Sequence, residues 1–283
     1  MTILVVGDAG VDVIAVPEGQ IVHGGDTRSR IRITTGGAGA NTATWLAKLG
    51  ADVVLVGRIG DDSAGRQVRD ELTAAGVRCE LAVDPVAPTC CVVVIVDAEG
   101  ERTMLPDHGA GAFLHPDDLT SDLLRNARHL HLSGYVLLNP ACRDTGLAVL
   151  AAARDAGLTT SVDPQSAGLI TDPAAFLDWV QGVDLLLPNA DELAVLKSTA
   201  DPLDHVGAIA ATAGASGATW FSRNTNISVP AQQVSCVDST GAGDAFNAGL
   251  LTAWLNGEPP AAALRAGINA ATTAVSAVGA TPR

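Results

Sequence analysis

The sequence predicts an α/β protein in which helices flank a mainly parallel central sheet, with a small β-sheet unit attached. First, 283 residues with 47% hydrophobic content are enough to bury a large core. Second, short apolar runs rich in β-branched residues alternate with amphipathic helical stretches, which is typical of a parallel sheet covered by helices. Third, two early segments, 21–35 and 78–105, carry strand-like runs and no helix.

The alternation gives the order of the elements in the predicted core. Strands are expected at residues 3–7, 53–56, 129–132, 159–162, 185–187 and 218–221. Helices are expected at residues 40–49, 64–75, 141–156, 191–196 and 203–213. Several of these helices are followed by a glycine suited to a left-handed cap, namely Gly50, Gly76, Gly157 and Gly214.

The two early segments interrupt this order. In the first, Arg28, Arg30 and Arg32 alternate with Ile31 and Ile33, a period of two that indicates a sheet with one solvated face. We therefore predict a small β unit formed by residues 12–37 and 78–111, inserted into a core formed by residues 1–11, 38–77 and 112–283. The alternative is that both segments extend the edge of the main sheet.

Charge and cysteine content restrict the partners and the compartment. The formal charge of -14 repels nucleic acids and anionic membranes, and no basic run offers them a local groove, so neither is an expected partner. A nucleotide can still bind, because backbone N–H dipoles and a bound cation act over a few ångströms. Five cysteines in no disulfide or zinc pattern, a strand-like start without signal-peptide features and short apolar runs indicate a cytoplasmic protein.

The strongest chemical signal is the run 238–246 (DSTGAGDAF), which leads into a predicted helix over residues 247–255. Gly241 and Gly243 let the backbone approach a ligand closely, and the free N–H groups of the helix start would form an anion hole. A carboxylate at Asp244 suits the general base of a phosphoryl transfer, which accepts the proton of the attacking hydroxyl. The alternative is a plain turn in which Asp244 only caps the helix.

The run 238–246 resembles the C-terminal signature of the ribokinase-like sugar kinases, the PfkB carbohydrate kinase family, and departs from it only by Ser239 in place of threonine. The resemblance extends in order over nearly the whole chain. It implies a ribokinase-like three-layer fold with a small β-sheet lid, and an ATP-dependent kinase acting on a hydroxyl of a sugar or sugar-like molecule. It also implies an anion hole made by the amides of Gly241, Ala242 and Gly243, with Asp244 as the catalytic base.

A glycine-rich turn, 36–41 (GGAGAN), precedes the first predicted helix, and its asparagine can both donate and accept hydrogen bonds. By resemblance, this turn and an aspartate near the first strand line the sugar site. The implied substrate-binding residues, beside Asp244, are Asp12, Gly36, Gly37 and Asn41.

The run 188–192 (PNADE) resembles the Asn-x-x-Glu motif of the family. The resemblance implies that Glu192 holds Mg²⁺ through water and that Asn189 belongs to the nucleotide site, at the carboxyl end of a strand where open α/β sheets place ligands. The bare pattern is also an ordinary helix start, with Asn189 as the cap and Glu192 at the third position.

The remaining implied positions lie in the last quarter of the chain. The nucleotide-binding residues implied by resemblance, with Asn189, are Thr212, Gly214, Gly217 and Asn269. A monovalent cation site, for K⁺, is implied at Asp238, Thr240, Ala274 and Gly279. The family also implies a homodimer formed through the lid. Asp163 follows another apolar strand, and its role stays open.

Departures from the family pattern concern the choice of substrate. Ala38 and Gly111 stand where sugar-specific relatives carry lysine and asparagine, which weakens a ribose assignment. The lid offers candidate contacts to the substrate, although solvated charge accounts for most such residues; they are Arg28, Arg30, Arg32, Arg102, Asp107 and His108.

Three alternatives to a sugar kinase stand beside it. They are a nucleoside kinase of the same fold, for adenosine or pseudouridine, a non-catalytic sugar-binding regulator, and a dinucleotide-dependent oxidoreductase. The oxidoreductase is disfavoured, because residues 7–10 (GDAG) lack the required Gly-x-Gly-x-x-Gly turn after the first strand.

Overall fold

The computed structural model describes residues 2–97, 102–276 and 279–282. Along them the chain forms, in order, β1 (Thr2–Val6), β2 (Gly10–Pro17), β3 (Ser29–Gly36), α1 (Ala38–Lys48), β4 (Asp52–Gly60), α2 (Ser63–Ala74), β5 (Arg78–Asp84), β6 (Cys90–Val96), β7 (Arg102–Asp107), α3 (Ser121–Asn126), β8 (Ala127–Ser133), α4 (Gly134–Leu138), α5 (Arg143–Asp155), β9 (Thr159–Asp163), α6 (Pro173–Trp179), β10 (Leu185–Leu186), α7 (Ala190–Lys197), β11 (Ala208–Thr212), β12 (Ala218–Ser222), β13 (Thr225–Val229), α8 (Ala242–Leu255) and α9 (Pro260–Val275).

Nine strands form the central sheet, in the order β13-β12-β11-β10-β9-β8-β1-β4-β5. From β11 to β5 neighbouring strands run parallel, and β12 and β13 add an antiparallel edge. Alternate residues of β1 face opposite sides of this sheet. Ile3 and Val5 pack with α1, α8 and α9, whereas Leu4 and Val6 pack with α5 and α6, so helices cover both faces. This three-layer arrangement confirms the predicted fold class.

A separate four-stranded sheet, in the order β3-β2-β6-β7, lies next to the carboxyl end of β1. The chain enters it directly after β1, and β3 leads back into α1. One face is anchored on the core, because the Thr35 hydroxyl donates a hydrogen bond to Glu71 of α2. The small sheet therefore stands beside the edge where the parallel strands end, which is where α/β proteins bind ligands.

Two element predictions were wrong. Residues 203–213 were expected to form a helix, but they contain a short turn and the strand β11. The sequence there is rich in alanine, which favours helix, yet β11 is buried between β10 and β12 and Ile209 and Ala210 are shielded on both faces. Tertiary burial therefore overrides the helix propensity of alanine.

The second error concerns residues 78–84, which were assigned to the small β unit. They form β5, which pairs in parallel with β4 as the edge strand of the central sheet. In an edge strand, polar and apolar residues alternate because one face is exposed to solvent. A strand of a small separate sheet has the same alternation, so the sequence pattern does not show which sheet residues 78–84 join. The small sheet also begins at Gly10 rather than at residue 12. That the two sheets belong to separate structural units stays a prediction.

Across the described ranges, no helix combines the length and the hydropathy needed to cross a bilayer.

Candidate active site

The start of α8 lies at the centre of the site. Gly241 precedes the helix with φ 70°, and a Cβ atom at this position would stand 2.6 Å from the carbonyl oxygen of Ala280. Gly243, two residues later in the chain, borders open space, since a Cβ atom there would meet nothing within 4 Å. The first N–H groups of a helix have no partner within the helix. Here the Ala242 N–H donates a 3.3 Å hydrogen bond to the Ser239 carbonyl, so the Gly243 N–H is the one best placed to bind an anion.

Asp244 lies in the first turn of α8 and is 8% exposed. Its Oδ2 accepts a hydrogen bond of 2.9 Å from the Asn41 amide of α1, and its Oδ1 accepts one of 3.5 Å from the Thr42 hydroxyl. Burial raises the pKa of Asp244 to about 7, and the nearby Asp8 adds to the rise, while the bond from Asn41 opposes it. Asp244 can therefore exchange a proton near neutral pH.

Two further carboxylates face the same region, Asp8 from the turn between β1 and β2 and Asp12 from β2. Asp8 accepts hydrogen bonds from the amides of Ala38 and Gly39 and so caps the start of α1. Burial raises the pKa of Asp12 to about 6, and repulsion by Asp8 adds to it. The carboxylate of Asp12 stands directly over Gly36, where a Cβ atom would come within 2.3 Å of it. Glycine at position 36 is therefore needed for this side chain to fit.

Asn41 carries an unsatisfied atom beside the candidate base. Its Nδ2 donates to Asp244, but its buried Oδ1 has no hydrogen-bond partner among the described residues. A buried acceptor without a partner costs free energy, which a hydroxyl donor from a bound molecule would recover. Asn41 is thus suited to orient a hydroxyl next to Asp244.

A polar cavity of about 190 Å³ extends from Asp244 towards the carboxyl end of β9. Asp163 and Asn247 line it, and the Asn247 amide donates to Asp163 Oδ2 at 2.6 Å. Burial raises the pKa of Asp163 well above its usual value, and repulsion by Glu192 and Asp244 raises it further. The cavity therefore gathers three carboxylates that a bound cation would stabilise together.

Glu192 and Asn189 form a complete capping box at the start of α7. Glu192 Oε1 and Oε2 accept from the side chain and the backbone N–H of Asn189, and Asn189 Oδ1 accepts from the Glu192 amide. Burial also raises the pKa of Glu192. The two residues therefore cap the helix, as the bare pattern predicts, and they also line the polar cavity.

The donor set of this cavity fits magnesium held through water. No group of three or more His, Cys, Asp or Glu side chains converges closely enough to bind a metal directly, within the described ranges. Mg²⁺ normally keeps several waters and uses one or two carboxylates together with substrate phosphates. Glu192 and Asp163 are the residues that would hold such a hydrated ion.

A second, mainly apolar cavity of about 310 Å³ lies on the other side of the α8 start. Its wall comes from α8, α9, the turn before β12 and residues 231–239, and apolar groups predominate in it, as in most small-molecule sites. The wall includes Thr212, Gly214, Gly217, Ala242 and Gly243. Asn269 does not line this cavity. Gln232 does, and its side-chain amide donates a 2.7 Å hydrogen bond to Asn269 Oδ1.

The residues predicted to hold a monovalent cation are only partly together. Asp238 accepts hydrogen bonds from the amides of Thr240 and Gly279, at 2.8 and 2.9 Å, and so ties the loop before α8 to the chain end. Ala274 is buried within α9. The arrangement does not identify a cation.

Three residues at the site received no role from the sequence. Asn247 stands one helical turn after Asp244 and therefore lies on the same face of α8. Asp8 lies in the turn after β1, for which the sequence predicts no contact with the site. Tyr135, the single tyrosine of the chain, is placed at the site by the fold, where burial and the surrounding carboxylates, Asp8 foremost, raise its pKa. For Asp163, which also lines the site, the sequence offers one signal, its position at the end of an apolar strand.

Comparisons with known proteins point to one family. A family model described as pfkB family carbohydrate kinase matches residues 2–283. The ATP-dependent ribose-1-phosphate kinase of Halopiger xanaduensis is 33% identical over 231 residues, covering 79% of this chain and 74% of that protein. The fructokinase of Klebsiella pneumoniae is 33% identical over 266 residues, covering 88% and 83%.

Among solved structures, the adenosine kinase of Sinorhizobium meliloti has the same fold. The two structures superpose with a TM-score of 0.90 over 99% of this chain and 95% of that one, at 24% sequence identity. At this sequence identity, the structural similarity shows a shared fold and nothing about the substrate.

Proposed function

Because the chain belongs to the pfkB family of carbohydrate kinases and is thus an ATP-dependent phosphotransferase, we propose that it phosphorylates a hydroxyl of a sugar or sugar-like molecule, with Asp244 as general base. The observation that carries this proposal is the position of the α8 start between two cavities. Gly243 borders both, and Asp244 lies on the polar side. A nucleotide in the apolar cavity would extend its phosphates past the helix amides towards Asp244.

The surroundings of Asp244 support its role as the base. An acceptor hydroxyl next to its carboxylate loses its proton to Asp244 as the oxygen attacks the γ-phosphorus, and the bond from phosphorus to the β-phosphate oxygen breaks. Asn41 and Thr42 hold the carboxylate in place. A pKa of about 7 suits a base that accepts a proton at neutral pH and releases it with the product.

The amides at the α8 start stabilise the charge that develops on the transferred group. Gly241 has the left-handed conformation that turns the chain into the helix, and Gly243 offers its N–H group. The Ala242 N–H would join it by exchanging its 3.3 Å hydrogen bond to the Ser239 carbonyl for one to the phosphate. Such fixed dipoles need no rearrangement during the reaction, which makes them effective. When bound, Mg²⁺ would neutralise phosphate charge, with Glu192 and Asp163 as its protein-side contacts through water.

The substrate side supports a molecule with several hydroxyl groups. Asp12 and the free Oδ1 of Asn41 are both acceptors near Asp244, since Asn41 donates to Asp244 and the charge of Asp12 acts on its pKa. The hydroxyl groups of a sugar are donors that such acceptors can bind. The named substrates of the related kinases are sugars or a sugar phosphate, and a nucleoside remains the main rival because its ribose carries similar hydroxyls.

The other implied features stay predictions. The nucleotide role of Thr212, Gly214 and Gly217 agrees with the apolar cavity, whereas that of Asn269 would act only through Gln232. The monovalent cation, the homodimer and the cytoplasmic compartment rest on family resemblance and composition.

The test is ADP release with a panel of sugars, sugar derivatives and nucleosides, with the product mass measured for each positive. We expect ADP to form only when a sugar-type acceptor is present and the acceptor to gain one phosphate. Preferred turnover of a nucleoside would replace the sugar assignment. Binding of sugars without ADP release in every case would favour the non-catalytic regulator.

A further inference from the structure

The polar cavity beside Asp244 contains three carboxylates and no basic side chain. Asp163, Glu192 and Asp244 line it, and within the ranges that the structure describes neither this cavity nor the apolar one is lined by Lys, Arg or His. A phosphoryl group that enters the polar cavity is anionic, so the three carboxylates repel it. A bound cation and hydrogen-bond donors must therefore compensate its charge.

Three side-chain amides line the polar cavity, and two of them already hold a carboxylate. The Asn189 amide donates to Glu192 at 2.7 Å, and the Asn247 amide donates to Asp163 at 2.6 Å. The third belongs to Gln165. Its side-chain amide has no hydrogen-bond partner among the described residues.

The Thr212 hydroxyl is a further side-chain donor at this cavity. Thr212 also lines the apolar cavity, so it lies towards the proposed nucleotide. Gln165 lines only the polar cavity, which it shares with Asp244. An anionic group next to Asp244 therefore has the Gln165 amide as its uncommitted side-chain donor.

The backbone holds Gln165 in a strained conformation. Its φ of 72° is the one positive value at a non-glycine residue in the described part of the chain. The Ser166 N–H donates to the Pro164 carbonyl at 3.0 Å, which closes a three-residue γ-turn around Gln165. Turns of this kind with positive φ are rare and strained, and such strain clusters at functional sites.

Two further contacts fix this turn at the cavity. The backbone N–H of Gln165 donates to Asp163 Oδ1 at 2.8 Å. On the other side, the turn packs against Gly134 at the start of α4, where a Cβ atom would come within 2.7 Å of the Pro164 carbonyl oxygen. The position of residue 165 is therefore set before any ligand binds, as preorganised electrostatic stabilisation requires.

We propose that Gln165 is a further catalytic residue, whose side-chain amide donates a hydrogen bond to the γ-phosphoryl group as this group passes from ATP to the acceptor hydroxyl at Asp244. This inference rests on the proposed function. Gln165 forms and breaks no covalent bond; the acceptor proton still goes to Asp244. A neutral amide suits the cavity, because a basic side chain there would pair with the carboxylates and lower the pKa of the base.

The first test is the affinity of ATP and of ADP, measured by calorimetry with Mg²⁺ present for the native protein, Gln165→Gly and Gln165→Glu. Only ATP carries the γ-phosphate, so we expect weaker ATP binding and unchanged ADP binding. The loss should be about 10-fold or more in Gln165→Gly, as for a hydrogen bond to a charged group. It should be larger in Gln165→Glu, because a carboxylate does not donate and repels the phosphate.

The second test is single-turnover transfer at saturating ATP, with an acceptor that the native protein phosphorylates. We expect it to slow about 10-fold or more in both variants. Gln181→Glu is the matched control and should behave as the native protein, since Gln181 is exposed between α6 and β10 and lines neither cavity. Glycine tolerates the φ of position 165, so Gln165→Gly should keep its Tm within a few degrees.

Two outcomes would overturn the inference while leaving the proposed function intact. One is an equal change, or no change, in the affinities of ATP and ADP in both variants. The other is transfer at the native rate in both variants. If Gln165→Gly has a strongly lowered Tm, Gln165→Glu decides by the same measurements, because glutamate has the shape of glutamine. Absence of transfer to every acceptor by the native protein would remove the proposed function itself, and the catalytic role of Gln165 with it.

Discussion

At the scale of single residues, the proposed activity depends on how Asp244 is held. Asn41 and Asp244 are 203 positions apart in the chain, and their hydrogen bond joins the start of α1 to the start of α8. The bond acts on the ionised carboxylate, so it lowers the pKa of Asp244 against the effect of burial. Asn41 is therefore placed both to orient the substrate and to tune the base.

The pH dependence of the reaction tests this arrangement. A base must be ionised to accept a proton, so kcat/KM should rise with pH up to about 7, the pKa of Asp244, and level off above it. In Asn41→Ala the lost hydrogen bond should move this rise to higher pH. A pH–rate profile of both proteins measures the shift.

Thr44→Ala is the control for this profile, because the Thr44 hydroxyl donates to the carbonyl of Ala40 within α1 and not to Asp244. Its profile should match that of the native protein. A profile that stays flat between pH 5.5 and 9, or an Asn41→Ala profile identical to the control, would contradict the role of Asp244.

At this scale the sequence predicted the chemistry that is local in the chain. The run 238–246 contains both the glycines and the carboxylate, so one short pattern carries the proposed anion hole and the proposed base. Asp163, Asn247 and Tyr135 could not be assigned in the same way. Their closeness to Asp244 arises from the packing of distant elements, which no local pattern encodes.

At the scale of elements, the two glycines at the start of α8 have different tasks. Gly241 needs its left-handed backbone, and a Cβ atom there would also overlap the carbonyl of Ala280. Gly243 borders both cavities, and a Cβ atom there would project into open space. One glycine therefore serves the fold and the other serves the ligand.

Substitution by alanine should separate these tasks. Gly241→Ala should destabilise the protein by about 1–2 kcal/mol, the cost of left-handed backbone in an L-residue, and lower Tm by a few degrees. Gly243→Ala should keep or raise Tm, because alanine favours helix, while it weakens ATP binding. Thermal unfolding and nucleotide titration measure the two effects; equal loss of Tm in both variants would contradict this division.

The errors of prediction also belong to this scale. The pattern located the strands that are buried on both faces and the helices with an amphipathic period, because burial imposes these patterns directly. It failed for β11, because its alanines are compatible with helix as well as with a buried strand. It also failed for β5, because an edge strand of the main sheet and a strand of a separate sheet show the same period-two pattern. Which sheet a strand joins is decided by partners far away in the sequence.

At the scale of the whole molecule, the centre of the sheet contains two buried histidines. His129 and His131 of β8 both contact the Ser161 hydroxyl of β9, at 2.8 Å each. Burial lowers the pKa of His129 to about 3 and that of His131 to about 4. Both rings are therefore neutral in the folded protein at neutral and mildly acidic pH.

Their burial makes stability fall in mild acid. Below the unfolded pKa of about 6.5 the unfolded chain binds protons that the folded protein does not, so the free energy of unfolding decreases as pH falls. The contribution is about 1.4 kcal/mol per histidine for each pH unit below 6.5, down to the folded pKa. Buried carboxylates such as Asp163 act in the opposite direction, so a comparison of variants is required.

We expect His131→Gln to reduce the difference in unfolding free energy between pH 7.5 and pH 5.5 by about 1.4 kcal/mol relative to the native protein. Urea unfolding at the two pH values measures it. His23→Gln, a substitution at an exposed histidine between β2 and β3, is the control and should leave the difference unchanged. Equal pH dependence in all three proteins would mean that the buried histidines do not contribute.

The most direct test of the account is single-turnover phosphoryl transfer in Asp244→Asn, with ATP affinity measured on the same protein. The account predicts that transfer slows by about 10²–10⁴-fold, as expected for loss of a general base, while ATP binds as in the native protein and Asp178→Asn, at an exposed site, behaves normally. Transfer at the native rate in Asp244→Asn, or a loss of ATP affinity that accounts for the slower rate, would contradict it.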